Sequence, residues 1–404
     1  MIKKIQVRSS DLRGISRLAI DATVGLTDLV ETMHHNIARA PGILATPPAG
    51  PTRGITRLVY RSIRGVTRLV GGGIDVVLGQ LAPLLGERST LPGHEAIQAA
   101  LNGVLGNYLA TSGNPLAIPM CLRREGQPLH LDSPALVTTP SPPPTSKLIV
   151  LVHGLCMHDR QWDRQGHNHG AALARDLGYT PIFLYYNSGR HISTNGREFA
   201  DLLETLVKQW PVPLEELAII GHSMGGLVSR SACHYGHLAG HDWLRHLKKL
   251  VFLGTPHHGA PLERGGHWVD ILLGLSPYTA PFARLGKIRS AGITDLRHGN
   301  LLDEDWAGHD RFARSGDRRR PVPLPEGVRC YALAATLGKQ GGSLGDRLLG
   351  DGLVSVNSAL GRHPQPNLNL EFPQARQWVG YGMNHLDVLS RPEAYQQVKE
   401  WLAA

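Results

Sequence analysis

The residues best placed to do chemistry in this 404-residue chain are Gly221-His222-Ser223-Met224-Gly225. They follow the apolar run Leu217–Ile220 directly and precede an apolar stretch of helical period. A serine held between two glycines at such a junction reads as a nucleophile elbow. The strand-to-helix turn is strained, and Gly221 and Gly225 stand where larger side chains would meet neighbouring backbone. The turn lifts the Ser223 hydroxyl clear of the sheet and sets it at a helix N-terminus, where free N–H groups favour developing negative charge. The chemistry implied is nucleophilic attack on an acyl carbon.

A second apolar run, Leu148–Val152, ends in His153-Gly154-Leu155. Gly154 permits a sharp backbone turn there, and the N–H groups of Leu155 and Met224 are expected to converge on the oxygen of a tetrahedral intermediate. Each such donor contributes about 2.7–4 kcal/mol to the transition state. His153 is expected to orient this loop rather than to transfer protons.

Three segments together resemble the α/β-hydrolase lipases: Leu151-Val152-His153-Gly154-Leu155, Gly221-His222-Ser223-Met224-Gly225-Gly226 and Gly254-Thr255-Pro256-His257-His258-Gly259. The likeness is greatest to the triacylglycerol-lipase and GPI-inositol-deacylase-like branch, and it covers about residues 118–404. It implies a mostly parallel central sheet with helices on both faces, and esters as substrates. It also implies a Ser, Asp, His order along the chain. Asp351, in Gly350-Asp351-Gly352-Leu353-Val354, resembles the lipase segment that carries the acid. Asp346, Asp303 and Asp305 remain alternatives. His385, in Gly382-Met383-Asn384-His385, is the expected base. No metal and no cofactor are expected, and no calcium site of the kind some such lipases carry is matched. Neighbouring side chains diverge, so the adjacent pair His257-His258 does not read as a ligand pair, and the resemblance assigns the segment to the site wall.

The elements that must position these groups follow from the apolar pattern. Beyond the connector Thr139-Pro140-Ser141-Pro142-Pro143-Pro144, strands at Leu148–Val152, Pro181–Tyr185, Leu217–Ile220, Leu250–Leu253 and Arg329–Ala335 are expected. Helices near Gly170–Leu177, Gly196–Trp210 and Gly225–His237 alternate with them, as in a parallel sheet covered on both faces. Before the connector, Ile118–Leu122 and Leu129–Leu131 read as strands around a Glu125-Gly126 turn. Ala260–Pro325, punctuated by Gly and Pro with a short apolar helix at Trp268–Leu275, reads as a lid or cap insertion. The expected division is therefore an N-terminal helical region, 1–114, and a hydrolase domain, 115–404, with 260–325 as its cap.

The N-terminal region carries a repeat. Arg13-Gly14-Ile15-Ser16-Arg17-Leu18 recurs at Arg53-Gly54-Ile55-Thr56-Arg57-Leu58 and at Arg64-Gly65-Val66-Thr67-Arg68-Leu69, with a looser copy at Gly25. A step of eleven residues, Gly14 to Gly25 and Gly54 to Gly65, keeps equivalent positions on one helical face. Arg53, Arg57, Arg61, Arg64 and Arg68 then form a cationic face opposite an apolar stripe, suited to an anionic membrane surface. A helical hairpin packed on the main domain, with Asp21, Asp28 and Glu31 screening those arginines, is the other reading.

Composition sets the outer limits. Forty-two per cent of residues are hydrophobic and 19% charged, which suits a globular chain and excludes a disordered one. The net charge of +9 favours anionic surfaces without naming one. Cys121, Cys156, Cys233 and Cys330 form no CxxC pair, so neither a zinc site nor a redox dithiol is expected. Arg318-Arg319-Arg320 lacks interleaved aromatics, and no nucleic-acid role is expected. No secretory signal or transmembrane run is read, and a cytoplasmic or peripheral-membrane location is expected. Two functions follow. One is a carboxylic-ester hydrolase, whose triad would equally serve a thioesterase or acyltransferase. The other is a membrane- or granule-surface binding protein built on an inactive hydrolase scaffold.

Overall fold

The computed structural model describes residue 17 and residues 94–131, 143–260, 290–308, 316–339 and 350–404. The arginine-faced repeat, the Trp268–Leu275 helix and Asp346 lie outside the described residues. The chain divides into two compact units, one of Met1–His94 with Thr111–Ala117 and one of Glu95–Ala110 with Ile118–Ala404. In the first, the Arg17 guanidinium donates to the Gly113 carbonyl at 3.0 Å.

The second unit is built on eight strands: β1 Cys121–Arg124, β2 Gln127–Pro128, β3 Lys147–Val152, β4 Thr180–Tyr185, β5 Glu216–His222, β6 Leu247–Leu253, β7 Arg329–Thr336 and β8 Gln377–Tyr381. Their order across the sheet is β2-β1-β4-β3-β5-β6-β7-β8. The strands β4, β3, β5, β6, β7 and β8 run parallel, and only the β1–β2 and β1–β4 pairs are antiparallel. The β1–β2 hairpin turns at Glu125-Gly126, both with positive φ (52° and 76°), the geometry that two-residue hairpins prefer. That turn is where the sequence places it. The strands close more tightly on it than the apolar residues suggest.

Five helices of eight residues or more are described: α1 His94–Thr111, α2 His169–Leu177, α3 Ile192–Gln209, α4 Met224–Ala239 and α5 Pro392–Ala403. Strand alternation explains why the sheet is covered on both faces. Leu148, Val150, Leu217, Ile219, Leu250 and Phe252 point into one core with Phe199, Leu203 and Leu206 of α3 and Leu227 and Val228 of α4. Ile149, Leu151, Ala218, Ile220, Val251 and Leu253 point into the other with Leu173 of α2 and Val398, Trp401 and Leu402 of α5. The start of α2 is fixed by Asn168, whose side chain accepts from the Ala171 N–H at 3.1 Å. The described parts of the expected cap join the first core through Ile293, Leu296, Leu301, Leu302 and Val322.

Candidate active site

The junction of β5 and α4 has the strained geometry that its sequence predicts. Ser223 has φ 53° and ψ −125°, one of four non-glycine residues with positive φ among the described residues. Conformations of this kind cost about 1–3 kcal/mol and persist where the surroundings over-determine them. Here the surroundings are tight. A Cβ on Gly221 would stand 2.5 Å from the Gly226 Cα, and one on Gly225 would stand 2.2 Å from the Val152 carbonyl oxygen. The Ser223 N–H donates to the Leu253 carbonyl at 2.8 Å, tying the elbow to the end of β6. The half-buried serine side chain does not cap α4, which leaves its hydroxyl available.

His385 and Asp351 come together on the other side of β6. His385 Nδ1 lies 2.7 Å from Asp351 Oδ2, and both side chains are buried. Asp351 Oδ1 accepts from the Leu353 and Val354 N–H groups at 2.9 and 2.8 Å, so one carboxylate oxygen is held by backbone while the other faces the imidazole. The His385 N–H closes the arrangement by donating to the Asp351 carbonyl at 3.1 Å. Gly254, next after Leu253, lies beneath the pair: a Cβ there would be 3.2 Å from the His385 ring and 3.3 Å from Asp351 Oδ2. The serine, acid and histidine thus gather around the carboxyl end of β6. No hydrogen bond joins the Ser223 and His385 side chains in this structure. Such bonds are often long before substrate enters.

Leu155 and Met224 flank the serine. A Cβ on Gly154 would stand 3.1 Å from the Ser223 Cβ, so the β3 loop lies directly against the elbow. Neither the Leu155 nor the Met224 N–H donates to a described residue, although both residues are buried. Buried backbone donors are nearly always paired, so two free ones beside a serine are suited to an incoming oxygen. His153 has the contacts of a loop-orienting residue. Its Nδ1 donates to the Gly154 carbonyl at 2.9 Å and its ring stacks on Tyr186 at 4.4 Å. The Tyr186 hydroxyl donates to the His153 carbonyl at 2.8 Å. Burial pushes the His153 imidazole down to about 4, which keeps it neutral at physiological pH.

Of the alternative acids, Asp303 is engaged by Arg197 at 2.6 Å, and Asp305 accepts from the Leu301, Leu302 and Arg320 N–H groups. His222 is a supporting residue that motif reading passes over because it fills a variable position. Its Nε2 donates to the His385 carbonyl at 3.1 Å, and burial holds its imidazole well below the usual histidine range. His257 and His258 diverge as expected: His257 lies between Phe252 and Phe372, whereas His258 faces His363.

A family model of an alpha/beta domain agrees with this architecture. Residues 144–319 match the family model of the PGAP1-like alpha/beta domain. No curated protein is matched. Among solved structures, the mature lipase BlEst2 of Bacillus licheniformis is similar at 20% identity, covering 66% of this chain and 95% of that one with a TM-score of 0.42. Lipase B of Aspergillus fumigatus is similar at 11% identity, covering 64% of this chain and 52% of that one with a TM-score of 0.39. The Pyrococcus furiosus esterase Pf2001 is similar at 14% identity, covering 64% and 81% with a TM-score of 0.38. With its mostly parallel sheet, its helices on both faces and its match to the PGAP1-like alpha/beta domain over residues 144–319, the protein has the α/β-hydrolase fold.

Proposed function

We propose that the protein is a serine hydrolase that cleaves carboxylic esters, with lipid or other acyl esters as its substrates. The observation that carries this reading is the buried Asp351–His385 pair beside a strained Ser223. In the proposed cycle, His385 Nε2 takes the Ser223 proton as Oγ attacks the ester carbonyl. The Leu155 and Met224 N–H groups receive the oxyanion. His385 then returns the proton to the departing alcohol, leaving an acyl-serine. A water deprotonated by His385 releases the acid and restores the serine. Asp351 holds the imidazole with its proton on Nδ1 and stabilises the imidazolium that forms. The double N–H support on Oδ1 keeps that carboxylate correctly turned.

Hydrolysis of nitrophenyl esters from acetyl to palmitoyl, compared between wild type and Ser223→Ala, tests this directly. Turnover that disappears in the variant supports the reading, and the chain-length profile separates esterase from lipase. A folded wild type inert toward every ester would favour an inactive scaffold. The reading also includes attachment to an anionic membrane through Arg53, Arg57, Arg61, Arg64 and Arg68. Sedimentation with anionic vesicles at low salt is expected to carry the protein down, and absence of binding would remove that part.

A further inference from the structure

Arg230 lies on the second turn of α4, is only 4% exposed, and pairs with no carboxylate among the described residues. One of its terminal nitrogens donates to the Val322 carbonyl and the other lies 3.4 Å from His257 Nδ1. Its Nε–H has no partner. Other deeply placed cations of this unit are compensated: Arg123 by Glu95 and Asp159 at 2.9 and 3.0 Å, Arg319 by Asp317 at 2.8 Å, and Lys249 by Glu216 at 3.1 Å. Burial and the neighbouring Arg319 push the Arg230 guanidinium down to about 9, which still leaves it charged at neutral pH. A buried charge without a counter-ion is strongly disfavoured, so its retention calls for a reason.

The surroundings supply one. Arg230 lines a cavity of about 110 Å³ together with His257, His258, Asp305, Arg319 and Arg320. That volume is several times the ~30 Å³ share of one water molecule. The Asp305 carboxylate, the one acid among the described residues of its wall, accepts from the Leu301, Leu302 and Arg320 N–H groups. Arg319 is matched by Asp317 and Arg320 faces Glu304 at 3.5 Å, whereas Arg230 has no described carboxylate in contact. His257 Nδ1 accepts from Arg230, which puts the ring proton on Nε2, a buried N–H without a partner. The wall thus offers guanidinium and imidazole donors around a buried cation that no described carboxylate contacts.

We propose that this cavity is an anion site that takes a phosphate or phosphodiester group, held by Arg230 and the His257 Nε2–H with Arg320. The tetrahedral anion has the acceptor oxygens that several guanidinium groups require, more than a planar carboxylate offers. The site is distinct from Ser223, seven residues earlier and about 10 Å away along the helix axis.

Isothermal titration calorimetry of the full chain tests this, with inorganic phosphate and monomeric dihexanoyl phosphatidylglycerol as separate probes and chloride at matched ionic strength as control. Saturable binding of inorganic phosphate is expected if the free anion is the source. Saturable binding of the lipid alone would assign the source to a headgroup. In either case Arg230→Met is expected to weaken affinity about tenfold or more. If that variant fails to fold, Arg230→Lys replaces it, with binding several-fold weaker because the planar fork is lost. Absence of saturable binding of both probes to wild type would overturn the proposal. So would unchanged affinity in the folded Arg230 variant.

Discussion

Two of the described histidine–aspartate pairs look alike locally, one fully buried and one with a half-buried histidine. His385 Nδ1 meets Asp351 Oδ2 at 2.7 Å, and His191 Nδ1 meets Asp295 Oδ2 at 3.0 Å. Each acid also accepts from backbone, Asp351 from Leu353 and Val354 and Asp295 from Ile192. Their settings differ. Asp351–His385 stands over Gly254 at the end of β6, around which the Ser223 elbow also turns. The His191 ring is stacked on Trp306 at 3.7 Å, and Asp295 takes a further bond from Asn300 at 3.3 Å. The second pair therefore joins the start of α3 to the 290–308 segment. A histidine–aspartate contact is not in itself a catalytic signature; its place relative to a strained serine decides what it does.

Substitutions can break that contrast. Asp351→Asn is expected to lower kcat for ester hydrolysis by about 10⁴ with little change in KM, because the imidazole loses its tautomer and its counter-charge. Steady-state kinetics checks this, and a loss below tenfold would remove Asp351 from the role. Asp295→Ala is expected to spare kcat within a few-fold and to cost about 1–3 kcal/mol of stability, because the His191, Ile192 and Asn300 donors lose their acceptor. Urea denaturation reads that cost. A kcat loss matching that of Asp351→Asn, with stability intact, would reverse the two assignments.

Acid should act on the fold through its buried histidines. His153, His169, His222 and His257 are all buried, and burial lowers each of their pKa values. In the unfolded chain they take up protons near pH 6.5, whereas in the folded state they resist until lower pH. The stability they contribute is therefore present above about pH 6.5 and lost as pH falls toward their folded values, by up to about 1.4 kcal/mol per unit for each residue. Asp295, raised by its burial, works in the opposite direction. Calorimetry between pH 7 and 5 should show Tm falling steeply, and a flat profile would contradict neutral burial of these rings. The smallest effect expected is that of Trp306→Phe, which keeps a ring on His191 but loses the indole bond to Ser193 Oγ at 2.9 Å, about 1 kcal/mol.

Much of the sheet was legible because its strands are short, continuously apolar and closed by turn-forming residues; β3 to β7 could be placed that way. The elbow was legible because strain demands small residues at fixed offsets. Two elements were not. Helix α1 carries Gly103 and Gly106, where Cys156 and Asn187 press against its backbone, and those glycines interrupt an apolar stripe. Strand β8, Gln377–Tyr381, pairs on one edge only and is mostly half-buried, so it lacks a continuous apolar run. Asp351 could be favoured only through resemblance, since several acids lay within reach in sequence. The structure separates them by engaging Asp303 and Asp305 elsewhere. Asp295, His222 and Arg230 depend on partners distant in the chain, such as His191, His385 and Val322, and nothing in local spacing reports such pairings.

The most direct test of the central claim is labelling of the purified full chain with a fluorophosphonate, followed by peptide mass spectrometry. The account predicts a single covalent adduct on Ser223, abolished in Ser223→Ala and strongly slowed in His385→Ala. A folded wild type that stays unlabelled, or an adduct on another serine, would contradict it.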